Sequence, residues 1–199
     1  MIYDEKEVLV TMHGNVALVE MARTPVNAFN RGMYDQTRRV FQQIAEDRNV
    51  HAVVLTGRGK VFCGGNELRE FVDLTFDSAT EHLAFVRICF NAIYDCPVPV
   101  VGAINGAAVG TGWGLATLCD IRIAAESAVF ALPEIDVGVL GGSRHTMRIA
   151  PQGMTRLMMY TGRRINARHA LSASMVDEVV ADDQVLDHSM KLAQEIAAK

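Results

Sequence analysis

Two glycine-rich turns and one carboxylate are the residues best suited to chemistry. Gly64-Gly65-Asn66-Glu67-Leu68 follows the apolar run "VFC", and Gly106–Gly114 follows "VVGAIN". Glycine after a strand and before a helix lets backbone N–H groups come close to an anion or a developing oxyanion. One such turn is more often tight packing than a site. Two in one chain raise the odds that a pair of N–H groups meets on one oxygen. Glu134 follows Pro133 in an apolar stretch, where a carboxylate is costly unless it is paired or used. The residues alone leave a structural glutamate and a proton-transferring one both open. Asp136 would share a face with Glu134 if this stretch were a strand, and a solvated or capping role is expected for it.

Competing motifs fail. Gly110-Thr111-Gly112-Trp113-Gly114 begins like a dinucleotide fingerprint, but Leu115 breaks it. Gly57-Arg58-Gly59-Lys60-Val61 lacks the Walker serine or threonine, and Gly141-Gly142-Ser143-Arg144-His145 lacks the closing glycine of a nucleophile elbow. The six histidines are scattered without HExxH, and the four cysteines have no CxxC spacing. These read as reduced core thiols of a cytoplasmic protein, with no metal site expected. A formal net charge of −4 argues against a nucleic-acid surface. No apolar run reaches the roughly 18 residues of a membrane span, and Met1–Lys6 is too polar for a signal or transit peptide.

These residues need a scaffold. The chain has 199 residues, 50% apolar and 21% charged, as expected of a globular protein. Val8–Met12 and Asn15–Met21 read as strands around a His13-Gly14 turn. Asn30 is a candidate cap for a helix to Asp47, with Met33, Val40, Phe41 and Ile44 on one face. "AVVLTG" and "KVFCGG" read as strands, and Ser78–Asp95 as a helix with Leu83, Val86, Phe90 and Ile93 inward. "DIRIAA" and "AVFAL" follow the glycine segment as strands, with a short strand expected within Met175–Val180. Strand, strand, helix therefore recurs, which is an α/β layout. The final helix carries Val185, Leu192 and Ile196 on a wide apolar face that needs a cover, expected from a partner or a continuation of the chain.

"NAFN" (Asn27–Asn30), "VFCGGNEL" (Val61–Leu68), "AINGAAVGTGWGLATLCDIRIAAESAVFALPEIDVG" (Ala103–Gly138) and "TGRRINARHA" (Thr161–Ala170) resemble the crotonase, or enoyl-CoA hydratase/isomerase, superfamily. The resemblance implies an α/β spiral of ββα units over residues 1–142. It implies a mainly helical C-terminal region over residues 143–199, engaged in oligomer contacts, with its helical tail shortened. Also implied are an acyl-CoA thioester substrate, no cofactor, and homotrimers or hexamers. By position, the resemblance puts the oxyanion hole on the backbone N–H groups of Asn66 and Thr111 and the catalytic carboxylate on Glu134. Gly114 stands where family hydratases carry a second glutamate. CoA contacts would fall at Asn27, Ala28, Cys63, Gly64, Gly65 and Leu68. Trp113, Phe62, Leu68, Phe71, Val139 and Leu140 are candidates for an acyl pocket, with core packing the alternative. One glutamate instead of two favours an enoyl-CoA isomerase. Hydratase, hydrolase, decarboxylase or lyase activity, and a catalytically silent acyl-CoA-binding subunit, are the alternatives.

Overall fold

The computed structural model describes Tyr3, residues 5–71 and residues 75–199. Val8–His13 (β1) and Val16–Met21 (β2) form an antiparallel hairpin, with Gly14 at a φ of +63° in its turn. Arg31–Glu46 (α1) starts at Asn30, whose side chain accepts from the N–H of Met33 at 2.8 Å, a standard N-cap. Its buried face includes Met33, Val40, Phe41 and Ile44, as their spacing predicts, together with Tyr34 and Thr37.

The chain then winds in repeated units, each placing one strand in either of two sheets. Ala52–Gly57 (β3) enters the large sheet and Val61–Cys63 (β4) the small one, followed by helix Phe76–Tyr94 (α2). Val100–Ile104 (β5) and Ala107–Val109 (β6) repeat the move before helix Thr111–Ala116 (α3). Ile121–Ala125 (β7) and Val129–Ala131 (β8) repeat it again before a 3₁₀ turn at Pro133–Val137. β3, β5 and β7 run parallel in the large sheet, and β4, β6 and β8 run parallel in the small one. β3 and β5 are buried at every position, as expected for parallel strands covered on both faces.

Residues 143–199 are mainly helical: Ser143–Ile149 (α4), Gln152–Thr161 (α5), Ala167–Ser172 (α6) and Val185–Ala197 (α7). They are also built into the sheets. Ile165–Asn166 (β9) pairs with β8, and Glu178–Val180 (β10) pairs with β7.

Two expectations need correction, and one open alternative closes. The terminal helix does not offer a bare apolar face. α7 packs across β2, β3, β5 and β7, burying Val185, Ser189 and Ala193 and holding Leu192 and Ile196 against the core. Leu186 is its exposed large apolar residue. "PEIDVG" is not a strand: Pro133 opens a 3₁₀ turn and Gly138, at a φ of +73°, closes it. Asp136 and Glu134 therefore do not share a strand face. Leu83 is 65% exposed, so it is not part of the inward face of α2.

Candidate active site

The spiral brings three residues together from three separate turns. Asn66 lies three residues beyond the end of β4, Thr111 two beyond β6, and Glu134 three beyond β8. These strands are adjacent, with Cys63 opposite Ala108 after a register shift in β4, and Val109 opposite Ala131. Neighbouring strands are about 4.8 Å apart, so their C-terminal ends deliver all three residues to one place. Parallel sheets commonly bind ligands there.

Glycine makes the approach possible. Gly65 and Gly110 have φ values of +108° and +56°, which L side chains rarely adopt. The turns also touch, since a Cβ at Gly110 would lie 3.8 Å from the Cα of Gly65 and 3.1 Å from Oε1 of Glu134. The N–H groups of Asn66 and Thr111 make no hydrogen bond among the described residues. Thr111 opens α3, where N–H groups lack intrahelical partners.

Two cavities meet here. The outer, about 610 Å³, is also lined by Gly64, Leu68 and Val137. The inner, about 140 Å³, extends to Tyr34, His82, Val86, Phe90, Gly114 and Leu140. Asn66, Gly110, Thr111, Glu134 and Val139 line both and form the waist between them. A carbonyl oxygen held at this waist can meet two main-chain donors and a carboxylate together.

Glu134 is suited to proton transfer. Its Oε2 is buried without a hydrogen-bond partner among the described residues. Burial raises its carboxyl above the ordinary glutamate range, and a bond from its own backbone N–H draws it partly back. Such a group destabilises the fold when charged. Its folded pKa exceeds its unfolded pKa, so this cost is absent below the unfolded value and complete above the folded one. Glu134→Gln is therefore expected to raise Tm at pH 8. The gain should shrink as pH falls toward about 4, the unfolded glutamate value. Calorimetry of both proteins across this range checks the sign, and an equal gain at every pH would refute it.

Several sequence candidates lie elsewhere. Asn27 is fully buried, and its Nδ2 donates to the carbonyls of Arg58, Val61 and Phe62, so its side chain is a strut and not a CoA contact. Cys63 is fully buried too, with its thiol pushed up to about 12 by desolvation, and its side chain is not available to ligand. Ala28 is half-buried outside both cavities, its carbonyl accepting from Arg23 at 2.8 Å. Gly64, Gly65 and Leu68 do line the outer cavity, and Val139 and Leu140 line the inner. Phe62 and Trp113 are core residues; the Trp113 indole donates to Oγ1 of Thr146 at 3.0 Å and packs edge-on to Phe130. The Phe71 side chain lies outside the described residues.

Gly114 lines the inner cavity, but the space beside it is filled. A Cβ there would lie 3.1 Å from two carbons of the Phe90 ring, so the ring and not Trp113 would crowd a longer side chain. Sequence reading missed Tyr34, His82 and Phe90 as wall residues. Helical spacing can mark the faces that carry Phe90 and Tyr34 but not the cavity they line, and nothing local marked His82. Among the described residues no helix is long and apolar enough to cross a membrane, and no group of three or more His, Cys, Asp and Glu could hold a metal ion.

Fold and site together define an α/β protein of crotonase type. The enoyl-CoA hydratase/isomerase family profile matches residues 11–199, and the chain belongs to that family. It is 34% identical over 186 residues to a (7aS)-7a-methyl-1,5-dioxo-2,3,5,6,7,7a-hexahydro-1H-indene-carboxyl-CoA hydrolase of Rhodococcus jostii (strain RHA1), covering 92% of this chain and 72% of that one. It is 31% identical over 189 residues to a mitochondrial Delta(3,5)-Delta(2,4)-dienoyl-CoA isomerase of Pongo abelii, covering 87% and 58%. The solved enoyl-CoA hydratase of Bacillus anthracis superposes with a TM-score of 0.92 at 29% identity, over 98% of this chain and 78% of that one. Hydrolase, isomerase and hydratase names all occur among these relatives, so the reaction must be argued from the site.

Proposed function

We propose that this protein is an enoyl-CoA isomerase that moves a double bond from the 3 to the 2 position of an acyl-CoA thioester. The observation that carries this reading is one half-buried carboxylate at the waist, Glu134 with its Oε2 enclosed, and the Phe90 ring occupying the space beside Gly114. The thioester oxygen accepts from the N–H groups of Asn66 and Thr111, with the CoA side in the outer cavity and the acyl chain in the inner one. Glu134 removes a proton from C2, and the electron pair passes into the conjugated dienolate, whose negative charge rests on the thioester oxygen. The same carboxyl then returns the proton at C4, leaving the double bond between C2 and C3. Substrate and residues balance this reaction without a cofactor. Syn hydration instead asks one carboxylate both to activate water and to supply the α-proton. Gly114 does not open room for a bulkier acyl group, because Phe90 already fills it. A homotrimer or hexamer remains part of the proposal on the family resemblance alone, since α7 is covered by the chain's own sheet.

Product analysis with 2-enoyl-, 3-enoyl- and 3-hydroxyacyl-CoA tests the reading. The 3-enoyl thioester is expected to give the 2-enoyl product faster than the 2-enoyl thioester takes up water. Gly114→Glu alone is expected to leave hydration low, because the new side chain meets Phe90. Gly114→Glu with Phe90→Ala provides the missing space, and its hydration should exceed that of either single variant. Rapid hydration by the unaltered protein, insensitive to Glu134→Gln, would defeat the isomerase assignment.

A further inference from the structure

We propose that Tyr34 is a positioning residue that holds the two oxyanion donors in register, through a cluster of three oxygens that it forms with Asn66 and Thr111 and that two hydrogen bonds join. The inference rests on the oxyanion hole of the proposed function and adds a residue to it that does not touch the reacting atoms. The Tyr34 hydroxyl donates to Oδ1 of Asn66 at 2.6 Å and lies 2.9 Å from Oγ1 of Thr111. The Thr111 hydroxyl lies 3.0 Å from the same Oδ1, and its one proton goes to that oxygen or to the Tyr34 hydroxyl, so two hydrogen bonds join the three oxygens. Asn66 and Thr111 follow different strands, 45 residues apart, and they carry the two unpaired N–H groups.

The third corner is rigidly mounted. Tyr34 is fully buried on α1, with its ring edge-on to Phe29 at 4.9 Å between centroids. Phe29 brackets the Asn66 turn through its main chain, donating to the carbonyl of Gly65 and accepting from the N–H of Glu67, both at 2.8 Å. The turn is therefore gripped twice, by the backbone of Phe29 just before α1 and by the side chain of Tyr34 on α1. Burial raises the phenol far above its ordinary value, so the hydroxyl keeps its proton as a donor at any working pH. A satisfied buried network of this kind fixes geometry as well as adding stability. Two main-chain donors that must meet one oxygen are sensitive to displacements well below 1 Å.

The test measures donor alignment directly. Butanoyl-CoA labelled with ¹³C at the carbonyl is bound to each protein, and its isotope-edited infrared carbonyl stretch is compared with that of the free thioester. Oxyanion donors polarise the bond and lower its frequency. Tyr34→Phe, which removes one oxygen, is expected to lose at least half of that shift while binding and Tm change little. In parallel, kcat with a 3-enoyl-CoA should fall about tenfold at nearly constant KM. Thr111→Val keeps the backbone N–H but takes the Thr111 hydroxyl out of the cluster and should match that loss, whereas Thr111→Ser should retain the shift. Should Tyr34→Phe not fold, Thr111→Val against Thr111→Ser decides the question. A full shift in Tyr34→Phe or in Thr111→Val overturns the role of Tyr34 while leaving the thioester site intact. No shift in the unaltered protein would remove the oxyanion hole itself, and the role of Tyr34 with it.

Discussion

Glu134→Gln is expected to lower kcat for 3-enoyl-CoA isomerisation by about 10²–10⁴ with little change in thioester binding. Glutamine keeps the size and polarity of the side chain but cannot take the C2 proton. The oxyanion donors come from other turns of the spiral, so the pocket should remain formed. The pH profile gives a second check on the same residue. Burial of Glu134 raises its carboxyl, so the acid limb of the rate should lie above the ordinary glutamate value. Activity rises with pH through that limb, because the free carboxylate starts the reaction. A variant with unaltered kcat would remove Glu134 from the mechanism, and a limb at or below the ordinary value would contradict its desolvation.

Gly112→Ala is expected to reduce kcat by about 10²–10³, the scale of losing one oxyanion donor. The first turn of α3 packs directly on the end of β4 at this residue. A Cβ there would overlap the carbonyl oxygen of Cys63 and lie 2.8 Å from its carbonyl carbon. Both partners are main chain, so no rotamer change relieves the contact, and α3 must move away from β4. Thr111 adjoins Gly112 and Asn66 follows β4, so the displacement separates the two N–H donors. Adding Cys63→Ala should not restore the rate, because the obstructing oxygen belongs to the backbone. Far-UV circular dichroism and thioester binding check that the fold survives. Full activity in Gly112→Ala would show that this contact does not hold the donors.

Much of the scaffold could be read locally. Alternation and buried runs located the strands, Asn30 marked the start of α1, and the glycine turns and Glu134 stood out by type and neighbourhood. The sequence reading left the conformation of Pro133–Val137 open, although the signals of its 3₁₀ turn were present: proline at the start and glycine just after the end. An apolar stripe shows that a helix face is covered but not by what, and α7 is covered by the chain's own large sheet.

What the sequence determined by itself was the kind of residue at each turn: glycines that let main chain approach, an acid in apolar surroundings, and glycine where a second acid would stand. Only the tertiary structure decided that these turns meet. β4, β6 and β8 lie far apart in the chain, and each winding of the spiral sets the next short strand beside the last. Periodicity carries no information on such pairings. Tyr34 shows the same limit at a single residue. Helical spacing can place it on the buried face of α1, but its hydroxyl finds partners 32 and 77 residues away. Phe90 likewise meets Gly114 only because α2 packs over the inner cavity. Local preferences chose the elements, and long-range packing chose which polar atoms and which empty spaces face one another, because those contacts form only when distant parts of the chain bury their surfaces together.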